Sequence, residues 1–136
     1  MYRHPITIRM HDTDAAGIIF FTSLLRLAHD AFEAFLDSEG LGLGVLLHQR
    51  DYRIPIVRAE ADYLTPVRLG DRLTVEINLE RLGTTSFALR YRLLDAEHRE
   101  TGAARIVQVA VDARTWKKRP LPDELRDLLS RKLASA

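Results

Sequence analysis

The sequence predicts an α+β fold in which a curved antiparallel sheet wraps around one long helix. Three observations lead to this prediction. A wide apolar stripe at helical spacing runs through residues 24–36, the stretches after residue 53 alternate apolar and polar residues with a period of two, and short turns separate those stretches. A sheet wrapped around the helix buries both apolar faces at once.

The composition is that of an ordinary globular protein. The chain has 136 residues, of which 46% are hydrophobic and 29% charged, so we expect one domain over residues 1–136. A formal net charge of +1 argues against an extended nucleic-acid surface. We see no secretory signal and no apolar run of the roughly 18–20 residues that a membrane span needs. The absence of cysteine excludes disulfides, thiolate metal sites and a cysteine nucleophile, and it is compatible with a cytoplasmic location.

The first half of the chain reads as a strand followed by the long helix. We expect the strand at Thr7–Met10, where apolar and polar residues alternate. Thr22 or Ser23 is the expected N-cap of the helix, and Gly40 is its expected stop. The apolar stripe that should bury this helix consists of Leu24, Leu25, Ala28, Ala31, Phe32, Phe35 and Leu36.

The second half reads as strands joined by short turns. Residues 41–50 form a short helix or an ordered loop, and a strand with Ile54, Ile56, Ala61 and Tyr63 follows despite Pro55. In each of the next two strands, every second residue is apolar and is expected on the inner face. These residues are Leu73, Val75, Ile77, Leu79, Phe87, Leu89, Tyr91 and Leu93. Glu and Arg on their outer faces are expected to pair across the ladder. A last strand has on one face Val107, Val109, Val111 and Ala113, and an amphipathic helix covers Pro122–Leu133.

The chemistry of the chain is concentrated in the connection His11–Phe21, between the first strand and the long helix. It holds two carboxylates, several small residues and an aromatic pair, and Gly17 permits a positive φ there. A helix entrance supplies free N–H groups and the positive end of a dipole. An acid, exposed amides and an aromatic wall that excludes water together indicate a site for acyl transfer or hydrolysis.

The stretch Asp12–Phe21 reads D-T-D-A-A-G-I-I-F-F and resembles the D-T-D-A-A-G-V-V-Y motif of the 4-hydroxybenzoyl-CoA thioesterase family of hot-dog proteins. The likeness continues through Pro55–Pro66 and Gly70–Leu73, so it spans most of the chain. The first motif is fairly specific, and the later two add weight because they follow in the family's order. The resemblance implies a hot-dog fold and acyl-CoA thioesterase activity. It also implies a homodimer or a dimer of dimers with active sites at the subunit interface.

Asp14 matches the family's catalytic carboxylate, the second acid of D-T-D. Such a carboxylate can attack the thioester carbonyl and form a mixed anhydride, or it can take a proton from water, and the sequence does not choose between these routes. The alternative is an Asp that only caps a turn. For Asp12 we favour a structural role, through local hydrogen bonds to the backbone.

The resemblance also assigns candidate substrate contacts. The backbone N–H of Phe21 matches the family's donor to the thioester oxygen. Gly17, in the same connection, is a further candidate oxyanion donor, and Ser23, which stands where relatives carry Asn, is a candidate substrate contact. For Phe20 we favour plain core packing. The cations expected to contact the phosphates of CoA are Arg58, Lys117, Lys118 and Arg119, and the alternative for them is an ordinary solvated basic surface. We expect no metal and no cofactor besides the CoA that the substrate carries.

Two further stretches indicate a subgroup. The run H-D-A-F-E at His29–Glu33 and the run K-K-R-P-L-P at Lys117–Pro122 resemble a cyanobacterial-type subgroup that hydrolyses 1,4-dihydroxy-2-naphthoyl-CoA in quinone biosynthesis. His29 itself reads as a helix residue with a structural role. Where many relatives carry Tyr-His or a nearby Asn, this chain has Phe20, Phe21 and Ser23, which leaves more of the chemistry to Asp14. Two other functions stay open: a thioesterase for short or medium aliphatic acyl-CoA, and a non-catalytic module that binds acyl-CoA or acyl carrier protein.

Overall fold

The computed structural model describes residues 1–134 and contains seven strands and three α-helices within them. The strands are β1 (Tyr2–Thr7), β2 (Tyr52–Arg53), β3 (Ile56–Tyr63), β4 (Arg72–Leu82), β5 (Ser86–Leu94), β6 (Glu100–Val109) and β7 (Val111–Asp112). The helices are α1 (Ser23–Ser38), α2 (Leu43–Gln49) and α3 (Asp123–Lys132), and a 3₁₀ turn covers Met10–Asp12. No helix in this described part is both long and apolar enough to cross a membrane.

Five strands form one antiparallel sheet in the order β1-β4-β5-β6-β3, which leaves β1 and β3 at its edges. The strands β2 and β7 form a separate two-stranded ribbon. Pro55 lies in the gap between β2 and β3. Because proline has no N–H to donate, the one strand expected in this region is divided into two.

Helix α1 packs across one face of the sheet and contacts β1, β3, β4 and β6. Its apolar stripe is buried as predicted, apart from the partly buried Leu25, and it faces inward residues of β4 and β5 such as Val75, Ile77, Leu89 and Tyr91. Helix α3 closes the core with Leu125, Leu128 and Leu129, and Leu133 directly after the helix is buried with them. The predicted hot-dog arrangement of a sheet around a central helix is therefore confirmed.

The first strand and the start of α1 differ from the prediction. The strand covers Tyr2–Thr7 rather than Thr7–Met10, because its partner β4 begins at Arg72, opposite Thr7. Met10 is 77% exposed and opens the 3₁₀ turn. Thr22 occupies the N-cap position of α1, but neither its hydroxyl nor that of Ser23 makes the expected capping hydrogen bond within the described chain.

The inner face of β6 also differs from the prediction. Ala104 and Ile106 face the core, whereas Val107 lies on the opposite face. The strand ends at Val109, and Val111 belongs to the short ribbon with β2. Strand β6 has small or apolar residues on both faces, so alternation alone did not identify the face that contacts α1.

The outer face of the sheet carries the predicted ladder of ion pairs. Glu80 pairs with Arg90 at 2.6 Å and also with Arg105, and Glu76 pairs with Arg92 at 3.2 Å. These ion pairs connect neighbouring strands on the face of the sheet that α1 does not cover.

Candidate active site

The connection between β1 and α1 folds into a small hairpin that presents Asp14. Thr13 and Ile19 form an antiparallel bridge, and the N–H of Asp14 donates to the carbonyl of Ile18 at 2.9 Å. The N–H of Ile19 donates to the carbonyl of Val67 at 2.7 Å, which attaches the hairpin to the segment between β3 and β4. The position of Asp14 is therefore fixed by backbone hydrogen bonds on two sides.

Asp14 is exposed, and its carboxylate is only partly engaged. One oxygen, Oδ1, accepts the N–H of Ala16 at 2.8 Å, which is the turn geometry expected of an Asp in this position. Among residues 1–134 the other oxygen has no hydrogen-bond or ion-pair partner. The turn orients the carboxylate and leaves one oxygen available for an incoming substrate or water.

Asp12 has the structural environment that we predicted for it. Its side chain is 1% exposed, forms an ion pair with Arg26 of α1 and accepts the N–H of Arg9 at 2.7 Å. Its carbonyl accepts the N–H of Phe20 at 2.8 Å. Asp12 thus ties both ends of the connection to α1.

The N–H of Phe21 is a free backbone donor at the entrance to α1, as is that of Thr22. The N–H groups of Phe20 and Ser23 are used internally, since Phe20 donates to the carbonyl of Asp12 and Ser23 donates to the carbonyl of Phe20, each at 2.8 Å. Within the described chain the N–H of Phe21 has no acceptor. It lies at the positive end of a 16-residue helix, where a developing negative charge is stabilised.

Gly17 and Ser23, the two further candidate contacts, differ from Phe21 in their surroundings. The N–H of Gly17 donates to the carbonyl of Asp14 at 3.0 Å, so it is not available to an oxyanion. The φ of Gly17 is +77°, and its contribution is the tight turn that aims Asp14. Ser23 is buried at the first position of α1 and is not part of the lining of the cleft beside Asp14.

Asp14 and Phe21 line the same apolar cleft, which has a volume of about 450 Å³. This volume lies within the range of about 300–1,000 Å³ that is usual for small-molecule sites. The remaining walls come from the hairpin and from the segment that follows β3, and they are Ile18, Ile19, Phe20, Tyr63, Leu64, Thr65, Pro66 and Val67. Phe20 is 43% exposed and forms a wall of this cleft, so the prediction that it packs in the core was wrong.

The four predicted CoA contacts lie away from this cleft within one chain. Lys117 and Lys118 are exposed beyond the end of β6, next to β7. Arg119 pairs with Asp51 at 3.0 Å, and Arg58 of β3 pairs with Glu60 at 3.0 Å. The cleft is lined by Tyr63, at the end of β3. Ile56, at the start of β3, is paired with Gln108 near the end of β6, so the cleft and the end of β6 lie at opposite ends of β3.

Sequence reasoning missed the far wall of the cleft. The segment Tyr63–Val67 reads as the end of a strand and a turn, and its proximity to Asp14 depends on the long-range hydrogen bond between Ile19 and Val67. The resemblance did include most of this segment, which was the available signal. A second cavity beside His29, Gln108 and Trp116 was also missed, because its residues come from distant parts of the chain.

Comparison with known proteins identifies a thioesterase family and several thioester hydrolases that are similar to this chain. The model of the family described as the thioesterase-like superfamily matches residues 8–129. A protein named 1,4-dihydroxy-2-naphthoyl-CoA hydrolase from Synechococcus elongatus is 37% identical over 129 residues, which cover 94% of this chain and 94% of that protein. The protein of the same name from Rippkaea orientalis is 35% identical over 125 residues, which cover 90% and 91% of the two chains.

Among solved structures, a 1,4-dihydroxy-2-naphthoyl-CoA thioesterase from Synechocystis superimposes on this chain with a TM-score of 0.89. The two chains are 28% identical, and the match covers 96% of each. The sequence and structure comparisons thus agree over almost the whole length of the chain.

Proposed function

Because this chain belongs to the thioesterase-like superfamily, we propose that it hydrolyses an aromatic acyl-CoA thioester, with 1,4-dihydroxy-2-naphthoyl-CoA as its substrate. The observation that carries the proposal is that one apolar cleft is lined both by Asp14, which has a free carboxylate oxygen, and by Phe21, whose N–H has no acceptor within the described chain. The cleft's aromatic and aliphatic walls suit a planar acyl group. The relatives named above support the choice of substrate.

In the proposed reaction the thioester carbonyl oxygen accepts the N–H of Phe21. Such a donor stabilises a developing oxyanion by about 2.7–4 kcal/mol. Asp14 then acts by one of two routes. It adds to the carbonyl carbon and expels the CoA thiolate, after which water cleaves the mixed anhydride, or it takes a proton from water, whose oxygen adds to the carbonyl before the thiolate leaves. Both routes give free acid and CoA. We propose that the reaction needs no cofactor besides the CoA of the substrate. We also propose a cytoplasmic location.

The functional unit that we propose is a dimer formed through β3. This strand is an edge of the sheet, and exposed apolar residues lie along and just after it, namely Ile56, Val57, Tyr63 and Leu64. Unpaired edges of this kind are templates for pairing with another chain. An antiparallel pair of β3 strands places the Ile56 end of one beside the Tyr63 end of the other. The partner's Lys117, Lys118 and Arg58 would then lie near this chain's cleft, where they could contact the CoA phosphates.

A panel of CoA esters, assayed by release of the free thiol, tests the proposed reaction. We expect turnover of 1,4-dihydroxy-2-naphthoyl-CoA to exceed that of octanoyl-CoA and butyryl-CoA. Asp14→Asn should lower kcat by about 10²–10⁴-fold, because it removes the base or nucleophile. Asp127→Asn, at an exposed position of α3, is the matched control and should keep wild-type activity.

Each adverse outcome identifies the part of the proposal that fails. A preference for the aliphatic esters would overturn the aromatic substrate. Binding of all the esters without thiol release would make the protein a binding module. A kcat of Asp14→Asn near that of wild type would remove Asp14 from the mechanism.

A further inference from the structure

An ion pair between Arg26 and Asp12 ties the first turn of α1 to the connection that precedes it. The Nη2 of Arg26 contacts Oδ1 of Asp12, and its Nη1 lies 2.9 Å from the carboxylate of Asp30, one turn further along α1. The Asp12 side chain is 2% exposed and that of Arg26 is 44% exposed. His11 Nε2 lies 3.5 Å from the same oxygen of Asp12, but its side chain is 72% exposed. Arg26 is therefore the main charge partner of a buried carboxylate.

The backbone of Phe20 is held at both of its polar groups. Its N–H donates to the carbonyl of Asp12, and its carbonyl accepts the N–H of Ser23, each at 2.8 Å. The carbonyl of Phe20 and the N–H of Phe21 belong to one peptide unit. Because this unit is planar and trans, the two groups point in opposite directions. The hydrogen bond from Ser23 therefore directs the N–H of Phe21 away from the body of α1.

These contacts form a closed ring. It runs from the Asp12 carbonyl through Phe20 to Ser23, along the first turn of α1 to Arg26, and back to the Asp12 carboxylate. The second carboxylate oxygen, Oδ2, accepts the N–H of Arg9 at 2.7 Å, so the carboxylate is held from both sides. A functional group keeps its geometry when the groups behind it are locked in this way. Without the Arg26 contact, the ring is open at its only side-chain link to α1.

We propose that Arg26 and Asp12 are positioning residues for the oxyanion, and that they hold the N–H of Phe21 where the thioester oxygen becomes negative. The inference rests on the function proposed above. Neither residue belongs to the lining of the Asp14 cleft, so the pair acts through the backbone rather than on the substrate. A displacement of about 1 Å at a reacting group can lower a rate by about 10²-fold, so a contact outside the cleft can control kcat.

Steady-state kinetics of Arg26→Gln with the preferred CoA ester test this proposal. We expect kcat per folded protein to fall by about 10–100-fold, because the donor to the oxyanion is displaced. KM should stay within about twofold of wild type, because the donor acts on charge that develops in the transition state. Arg26→Lys keeps a cation here and should recover most of the lost kcat. Asp30→Asn removes the other carboxylate that Arg26 contacts and is the matched control, with wild-type kcat.

Asp12→Asn is a second test, and it separates positioning from a direct effect of the Arg26 charge. The Asn amide still accepts the N–H of Arg9 but no longer pairs with the guanidinium. If Arg26 acted on the oxyanion by its charge alone, removing the opposing carboxylate would leave kcat unchanged or raise it. We expect kcat to fall as in Arg26→Gln. The double variant should be no slower than either single variant, since both changes remove one interaction.

A backbone ester at Phe21 identifies the group that is positioned. Phenyllactate at this position removes the N–H and keeps the side chain. If the ion pair acts through that N–H, adding Arg26→Gln to the ester should lower kcat by less than about twofold. A general loosening of the site, Asp14 included, would lower kcat by the same factor in both backgrounds.

The adverse results are distinguishable. Wild-type kcat in Arg26→Gln, together with loss of turnover in Asp14→Asn, would reject the positioning role and leave the proposed function intact. The same two conclusions follow if Asp12→Asn keeps wild-type kcat, or if Arg26→Gln has its full effect in the ester background. Failure of wild type to release thiol from any CoA ester would reject the proposed function and this inference with it.

Discussion

Two aspartates that are two positions apart have opposite environments, and this difference supports a structural role for Asp12 and the proposed chemical role for Asp14. Asp12 is 1% exposed and is held by Arg26 and the N–H of Arg9. Asp14 is exposed in a cleft and keeps one carboxylate oxygen free of partners among the described residues. A buried, fully paired carboxylate is costly to disturb, whereas the solvent-facing one can change its bonding during a reaction. Asp12 thus stabilises the loop, and Asp14 is free to take the catalytic role that we propose for it.

The free N–H of Phe21 can be tested by replacing that residue with phenyllactate, which keeps the side chain and turns the amide into an ester. We expect kcat for the preferred CoA ester to fall by about 10²–10³-fold, because the transition state loses one donor to the oxyanion. The free energy of unfolding should change little, since this N–H has no internal acceptor in the described chain. Activity and urea denaturation are the two measurements.

Phenyllactate at Phe20 is the matched control. The N–H of Phe20 donates to the carbonyl of Asp12 at 2.8 Å, so its loss should lower stability, by about 1 kcal/mol. Unchanged kcat in the Phe21 ester would show that this amide does not contact the reacting oxygen.

At the residue scale, the sequence predicted the separate environments of Asp12 and Asp14 but not those of their neighbours. The predicted core packing of Phe20 was wrong, because the position of its side chain depends on how the loop is bonded internally. Phe20 looked like a core residue because it is apolar and precedes a buried helix. The hairpin that brings it to the cleft is set by contacts with Val67, which is distant in sequence.

Among the elements, α3 is attached to the rest of the molecule by a polar contact as well as by its leucines. Glu124 accepts hydrogen bonds from Arg50 at 2.7 Å and from the buried hydroxyl group of Tyr52 at 2.9 Å. The hydrogen bond from the Arg50 guanidinium holds the pKa of Glu124 below its ordinary value, and the Tyr52 hydroxyl adds to this effect. Burial, followed by the bond to Glu124, raises the pKa of Tyr52.

This lowered pKa predicts a specific pH dependence of stability. A carboxylate whose pKa is lower in the folded state contributes its full stabilisation above its unfolded pKa, whose ordinary value is 4.5. That stabilisation is lost as the pH falls through the folded value. Glu124→Gln should therefore be less stable than wild type at pH 7, and the difference should shrink as the pH drops below about 4.5. Denaturant unfolding across this pH range measures it.

The control for this prediction is Asp127→Asn, since Asp127 is exposed on the same helix and forms no ion pair among the described residues. Its difference from wild type should vary little over the same pH range. A stability difference for Glu124→Gln that stays constant down to pH 3 would show that this contact contributes no pH-dependent stability.

The helices and strands were predicted well where the apolar residues follow a single helical or strand periodicity. The buried stripe of α1 and the inner faces of β4 and β5 follow directly from spacing. Prediction was wrong for β1, whose end is set by where β4 begins, and for the inner face of β6, where both faces carry small or apolar residues. These features depend on pairing between distant strands, which local periodicity does not contain.

At the scale of the whole molecule, one chain contains the parts of the proposed site but separates them. The carboxylate cleft lies at one end of β3, and the basic residues Lys117 and Lys118 lie towards the other. In the dimer that we propose, a two-fold axis through the middle of β3 would exchange these ends and generate two complete sites. The resemblance implied the interface, and the separation along β3 supplies a physical reason why a single chain would be inactive.

Val57→Asp tests this dependence on pairing. Val57 lies on β3 and is 58% exposed, so an aspartate there should fold normally within one chain. A charge on the pairing edge opposes association with a second copy, because it would be buried without a partner. We therefore expect sedimentation to shift from dimer to monomer and thiol release to fall in parallel. Ser130→Asp, at an exposed position of α3, should alter neither. A monomeric Val57→Asp protein with wild-type kcat would mean that one chain holds a complete site, and the separation along β3 would then have to be bridged by the substrate itself.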